Sequence, residues 1–121
     1  MSESTSYDNL IAGTQKDLVT EPATVRVYEA FSRGALLGRL TATDKWQVCD
    51  EDAKANFNKF GIATEAVDTT SGAEVVTDVF VEGEFSENGV IFAYSDTAAD
   101  WSDTLDAQGI YLRKTISVGG Q

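Results

Sequence analysis

Twenty carboxylates and no histidine define the chemistry open to this 121-residue chain. Without imidazole there are no Ser-His or Cys-His nucleophile pairs and no imidazole metal ligands, and the usual near-neutral acid/base is missing. A carboxylate pair of the glycosidase kind is open by residue type. Yet 20 acidic residues in 121 make accidental pairs nearly certain, and nothing marks out any two of them. The triplet Asp50-Glu51-Asp52 lacks the alternate spacing, central glycine and distal glutamate of an EF-hand calcium loop. It reads instead as the acidic start of a helix, where negative charge suits the dipole. Asp100, Asp103 and Asp106 recur every three residues and read as a solvated face.

Gly34 and Gly38 enclose three residues where a phosphate loop needs four, and Arg39-Leu40 follows where Lys-Ser/Thr is required. These glycines read as turn and bulge positions. Cys49 has no internal disulfide partner and reads as a small buried apolar side chain. Trp46 and Trp101 read as core anchors. Residue types therefore point to no catalytic constellation, no cofactor and no metal site.

The elements around these residues are mostly strands. Val75–Phe85, VVTDVFVEGEF, alternates Val75, Thr77, Val79, Val81, Gly83 and Phe85 with a mostly polar set, the pattern of a half-buried strand. Gly83 interrupts the apolar face, which predicts a bulge or a close backbone approach. Ser86-Glu87-Asn88-Gly89 predicts a tight turn into a second strand over Val90–Tyr94, making a central hairpin. Upstream, Pro22 suits an edge strand, Val25 to Tyr28 alternate, and Ser32-Arg33-Gly34 turns the chain. Two more strands, within Arg33–Thr43 and Trp46–Cys49, are joined by a turn at Thr43–Lys45.

Asp50–Phe60 predicts a short helix, with Ala53, Phe57 and Phe60 on one face and Gly61 as a stop. Ile62–Val67 predicts a strand and Asp68–Gly72 a loop. Ser95–Gln108 is the best helix: Asp96 as N-cap, an apolar stripe of Ala98, Trp101 and Leu105, and Gly109 at the left-handed end position. Ile110 then packs on Leu105 and opens a last strand to Val118.

Length allows one domain. The polar N-terminus carries one apolar patch, Tyr7, Leu10, Ile11 and Ala12, and reads as a flexible arm over residues 1–17. A domain over residues 18–118 and a tail over residues 119–121 follow. The net charge of −11 argues against nucleic acid and anionic lipid as direct partners. MSESTSYDN has no secretory character, and the longest apolar run, Val90–Tyr94, is far below a membrane span. One cysteine suits a protein made in a reducing cytosol.

Several strings together resemble the head decoration (capsid cement) proteins of tailed phages, the lambda-type family. They are YDNLIAG at Tyr7–Gly13, LVT at Leu18–Thr20, RGALLGRLT at Arg33–Thr41, GIATEAVDTT at Gly61–Thr70, VFVEGEFSEN at Val79–Asn88 and GIYLR at Gly109–Arg113. They come in the family's order, and none is catalytic. The resemblance implies a mainly β, tulip-like or partly open barrel-like domain with one or two short helices and a flexible N-terminal arm. It implies a structural virion protein, assembled in the host cytoplasm and seated as a homotrimer on the outer surface of the expanded capsid. Its partner would be the major capsid protein, contacted through Tyr7, Asp8, Asn9, Leu10, Ile11, Ala12 and Leu18. A virion-surface or tail-associated β-rich module recognising carbohydrate or a host protein is the alternative, and a histidine-free carboxylate hydrolase a distant third.

Overall fold

The computed structural model describes residues 10–11, 18–93 and 96–114. Five strands form a mixed barrel: β1 (Val19–Val25), β3 (Leu36–Leu40), β4 (Trp46–Val48), β5 (Phe57–Ala63) and β7 (Val75–Ser86). Their order is β1-β4-β3-β5-β7, and β7 pairs back onto β1 to close the ring. The β1–β7, β3–β4, β3–β5 and β5–β7 pairs are antiparallel. The remaining seam is parallel and consists of Val25 opposite Trp46, which leaves that side of the barrel partly open. Pro22 lies in β1 before that seam, where β7 is its strand neighbour and the other edge needs no N–H. A two-stranded ribbon, β2 (Ala30–Phe31) with β6 (Val67–Asp68), stands beside the barrel. One α-helix, α1 (Ala98–Gln108), leads into β8 (Ile110–Arg113), which runs parallel to the far half of β7. The mainly β, barrel-like fold read from the resemblance is the fold observed.

Two apolar clusters lie on opposite sides of the sheet. Ala23, Leu37, Trp46, Ala63, Val79 and Val81 pack together; since all five barrel strands contribute, this cluster is the barrel interior. The other joins the outer face of β3, β5 and β7 to α1, through Phe60, Ile62, Phe80, Phe85, Trp101 and Leu105 among others. Phe85 therefore faces away from Val79 and Val81, although simple alternation puts all three on one face. The cause is a bulge. Val19 pairs with Glu82 but Thr20 with Phe80, so Val81 is an extra residue and the parity of β7 flips beyond it.

A second bulge explains the misread helix at residues 50–60. The chain forms a 3-10 helix only over Glu51–Asn56, capped by the Asp50 carboxylate accepting from the Ala53 N–H, and then enters β5. Leu40 pairs with Phe57 and Arg39 with Lys59, which leaves Asn58 unpaired. With that extra residue, Phe57 and Phe60 share a strand face, their ring centroids 6.1 Å apart. A spacing of three thus comes from a bulged strand rather than a helical turn. The strand expected at Ile62–Val67 is likewise divided: β5 ends at Ala63, and Val67 belongs to β6.

The expected central hairpin is absent. Residues 87–89 do turn, with the Gly89 N–H donating to the Ser86 carbonyl at 2.9 Å. The chain then crosses to the start of β3, where Ile91 makes a single parallel bridge to Ala35, the residue before that strand, and residues 90–93 form no strand with β7. The edge of β7 that a hairpin would fill is taken by β8, paired from Gly83–Ile110 to Ser86–Arg113. Tyr94, and the end of the last expected strand at residues 115–118, lie outside the described residues. Val25 to Tyr28 is also not one strand: β1 stops at Val25, and Tyr28 turns at φ 68°.

Helix α1 starts at Ala98, with Thr97 rather than Asp96 as its cap; the Asp100 carboxylate accepts from the Thr97 N–H at 2.8 Å. Asp96 instead accepts the Trp101 indole N–H at 3.1 Å. Gly109 takes the left-handed conformation expected of it, φ 105°. Trp101 packs edge-on to Phe60 at 5.2 Å, under the Lys54 ammonium. Gln108 fastens the helix end to the sheet, accepting from the Phe60 N–H at 2.8 Å and donating to the Val81 carbonyl at 3.0 Å. Leu105 is fully buried in this outer cluster. Leu105→Ala is expected to destabilise the fold by about 2–5 kcal/mol, read as a lower denaturant midpoint. A midpoint no lower than that of an exposed-site variant such as Asp103→Ala would show α1 to be peripheral.

Candidate functional site

The far half of β7, Gly83–Ser86, is the point on which the described members of the expected contact set converge. Leu10 is only 2% exposed and belongs to the outer cluster, and its carbonyl accepts the Ser86 N–H at 2.7 Å. Ile11 is half-buried and bridges Phe85 in the antiparallel sense. Leu18 is 45% exposed and lies over Gly83. Tyr7, Asp8, Asn9 and Ala12 lie outside the described residues.

Glycine is required where Leu18 crosses. Gly83 has φ 147°, and a Cβ there would sit 2.6 Å from Leu18 Cδ2 and 3.1 Å from the Phe85 ring. Sequence alone places a bulge or a close backbone approach at Gly83; the bulge lies two residues earlier, at Val81, and what passes over Gly83 is the Leu18 side chain. Val19, next in the chain, is 39% exposed and continues the apolar surface.

On the other edge of β7, Glu84 faces β8. Its carboxylate, almost fully buried, meets the Arg113 guanidinium at 3.3 Å, and Arg113 lies 5.3 Å over the Tyr111 ring. Alternation alone assigned Glu84 to a solvated face. Its burial depends on β8, a partner 27 residues away by register, so no local pattern could have shown it.

The electrostatics leave the surface strongly negative. Arg26 pairs with Glu29, Lys45 with Glu74, Lys59 and Arg39 with Glu21, and Arg113 with Glu84. Those cations are held by neighbouring carboxylates, while Asp44, Asp52, Asp103 and Asp106 project outward. Burial pushes the Cys49 thiol well above its ordinary pKa, with the nearby Asp50 and Asp96 charges adding to the effect. Such a thiol is a packing group rather than a nucleophile, as its residue type suggested. Asp68 is held below the usual carboxylate range by hydrogen bonds from the Thr70 hydroxyl and N–H.

Among the described residues, no three His, Cys, Asp or Glu side chains come together in a way that could hold a metal ion. A hollow of about 380 Å³ beside β2 and β6 has Asp68 as its one ionisable lining residue. Another of about 400 Å³, between α1 and β8, holds Glu87 and Lys114, opposite in sign. The better-organised feature is the apolar end of the barrel where Leu10, Ile11 and Leu18 meet β7.

A family model described as bacteriophage lambda head decoration protein D matches residues 1–110, which span every barrel strand and α1. The chain belongs to this family. No curated protein matches it closely enough to count as a relative. As a head decoration protein it has a structural role on the phage capsid, and the head is its place in the virion.

Proposed function

We propose that this decoration protein binds the outer surface of the expanded head as a homotrimer. There it bridges neighbouring copies of the major capsid protein and so stabilises the shell against the pressure of packaged DNA. The supporting observation is the convergence of Leu10, Ile11 and Leu18 on the Gly83–Ser86 end of β7. Leu10 is the anchor of the N-terminal arm, fixed in the domain's own core. Tyr7, Asp8, Asn9, Ile11, Ala12 and Leu18 are the shell contacts around it. Residues 1–17 act as the arm, residues 18–118 as the decoration domain and residues 119–121 as a tail.

Binding of this kind stabilises the shell directly, because a ligand that binds only the intact lattice shifts its opening equilibrium by mass action. The protein does no chemistry. Three copies bring together a charge of about 3 × −11 = −33, so contacts between copies must be apolar enough to offset repulsion. Salt screens that repulsion and should not dissociate the trimer.

The test is addition of purified protein to expanded, decoration-free heads. Saturable binding at a fixed stoichiometry, with three copies per local three-fold position in images, is the expected result. Treated heads should also release DNA at a higher temperature than bare heads. Failure to bind expanded heads, or binding that leaves their DNA-release temperature unchanged, would overturn the reading.

A further inference from the structure

Two stretches of chain leave the domain side by side at the far end of β7. Ile11 pairs antiparallel with Phe85, and the Leu10 carbonyl accepts the Ser86 N–H at 2.7 Å. The chain leading back toward residue 1 therefore departs in the direction in which β7 runs. β8 pairs parallel with the same stretch, from Gly83–Ile110 to Ser86–Arg113, and the Arg113 carbonyl accepts the Glu87 N–H at 2.9 Å. It departs in that direction too. Successive N–H groups of a strand point to opposite edges, so Leu10 lies along one edge of β7 and Arg113 along the other. Their backbones stand about 10 Å apart, two strand spacings.

Past Lys114 the sequence reads Thr-Ile-Ser-Val-Gly-Gly-Gln. Those seven residues carry no charge, in a chain of which 24% is charged and whose net charge is −11. An acidic neighbour therefore does not repel them. Ile116 and Val118 are two apart, which puts both on one side of an extended segment, and Thr, Ile and Val suit that conformation. Such a segment fits a strand edge flanked by apolar pockets, where main-chain hydrogen bonds give hold and alternate side chains give selectivity. The family match stops at residue 110, so membership assigns these residues no role.

We infer that residues 115–121, the end of the domain and the tail after it, are a second shell-binding segment whose partner is the major capsid protein. The inference rests on the shell contact of the proposed function and extends it from one edge of β7 to the other. Position selects this partner. In that reading the arm docks on the shell, and a segment that starts about 10 Å away and heads the same way meets the same surface. The domain itself offers a poorer seat. The hollow beside Lys114 is lined by Glu87, Thr97 and Ser102 as well as by apolar groups, and Ile116 and Val118 gain more from an apolar pocket. Once the arm is bound, the second contact forms intramolecularly. A segment too short to hold alone then slows dissociation of the whole.

The test adds full-length protein, a variant ending at Lys114, and the double substitution Ile116→Asp with Val118→Asp to expanded, decoration-free heads. Both variants should bind heads more weakly by about 10-fold or more and unfold at the wild-type denaturant midpoint. Val118→Cys gives a second readout. The one native thiol, Cys49, is buried, so a photo-crosslinker attaches at residue 118 alone. Irradiation on heads should join it to the major capsid protein, whereas the same label on Asp103→Cys, at an exposed position of α1, should give no such adduct. Unchanged head affinity of the variants, or no adduct from residue 118, would overturn the inference while leaving the arm contact intact. A lowered midpoint would place the segment in the hollow beside α1, which also overturns it. Wild-type protein that fails to bind heads would instead remove the proposed function, and this contact with it.

Discussion

Removal of residues 1–9 is expected to leave the domain folded and to weaken binding to expanded heads by 100-fold or more, which is about 2.7 kcal/mol. The cut falls there because Leu10 is part of the outer core and its carbonyl holds the Ser86 N–H. A longer deletion, through Gly13, would confuse two effects. It would take Leu10 from a site that is 2% exposed, at a cost of about 2–5 kcal/mol in stability. Both truncations should therefore lose head binding, and only the longer should also lower the denaturant midpoint. In the proposed function each arm alone would be a weak ligand. Fixing its backbone on the shell would oppose binding by about 1–2 kcal/mol per residue, and Met1 and Tyr7 are the two large apolar side chains among the nine. Main-chain hydrogen bonds to a strand edge of the shell would offset part of that cost. Three arms on one trimer would make the second and third contacts intramolecular. Full head occupancy by the residue 1–9 truncation at wild-type concentrations would move the shell contact to the domain body.

Trp46→Ala should be the most damaging single substitution for stability. Trp46 is 2% exposed and packs in the barrel interior with Leu37, Ala63, Val79 and Val81. It also sits at the β1–β4 seam, opposite Val25, where the barrel is joined by a single pair. Its neighbours are small. A Cβ on Gly61 would be tight, 3.1 Å from the Trp46 ring and 3.1 Å from Val79 Cγ2. With the indole gone, nothing nearby is large enough to fill the space. The expected loss is about 3–5 kcal/mol, against a total of about 5–15 kcal/mol for an ordinary domain. The variant should unfold at a much lower denaturant concentration than Leu105→Ala, because the seam opens together with the cavity. An equal or smaller loss than Leu105→Ala would show that the outer cluster, not the barrel interior, dominates stability.

Some of this protein was legible in order along the chain. A dominant strand from Val75, read to Phe85 and observed to Ser86, and a helix stopped by Gly109 follow from local periodicity and capping. The core roles of Trp46, Trp101 and Leu105 follow from side-chain chemistry. The family was legible too, because an ordered set of short strings survives where no catalytic motif is required. What local pattern could not supply were the events that depend on residues far apart. Two bulges, at Val81 and Asn58, shift strand parity, and each shows only in the register against a partner strand. The Asn88-Gly89 turn was correctly placed, but whether a turn yields a hairpin depends on what competes for the edge. Here β8 occupies that edge of β7. Leu10 reads as part of a flexible arm because the short apolar patch it shares with Tyr7, Ile11 and Ala12 is set in a polar N-terminus. Its burial is decided by Phe85, Trp101 and other cluster members distant in the chain. Tyr28 reads as a strand residue, yet a buried Thr69 some 40 residues on turns it outward. Periodicity reports which face a side chain prefers locally; the closing of a barrel decides which faces exist.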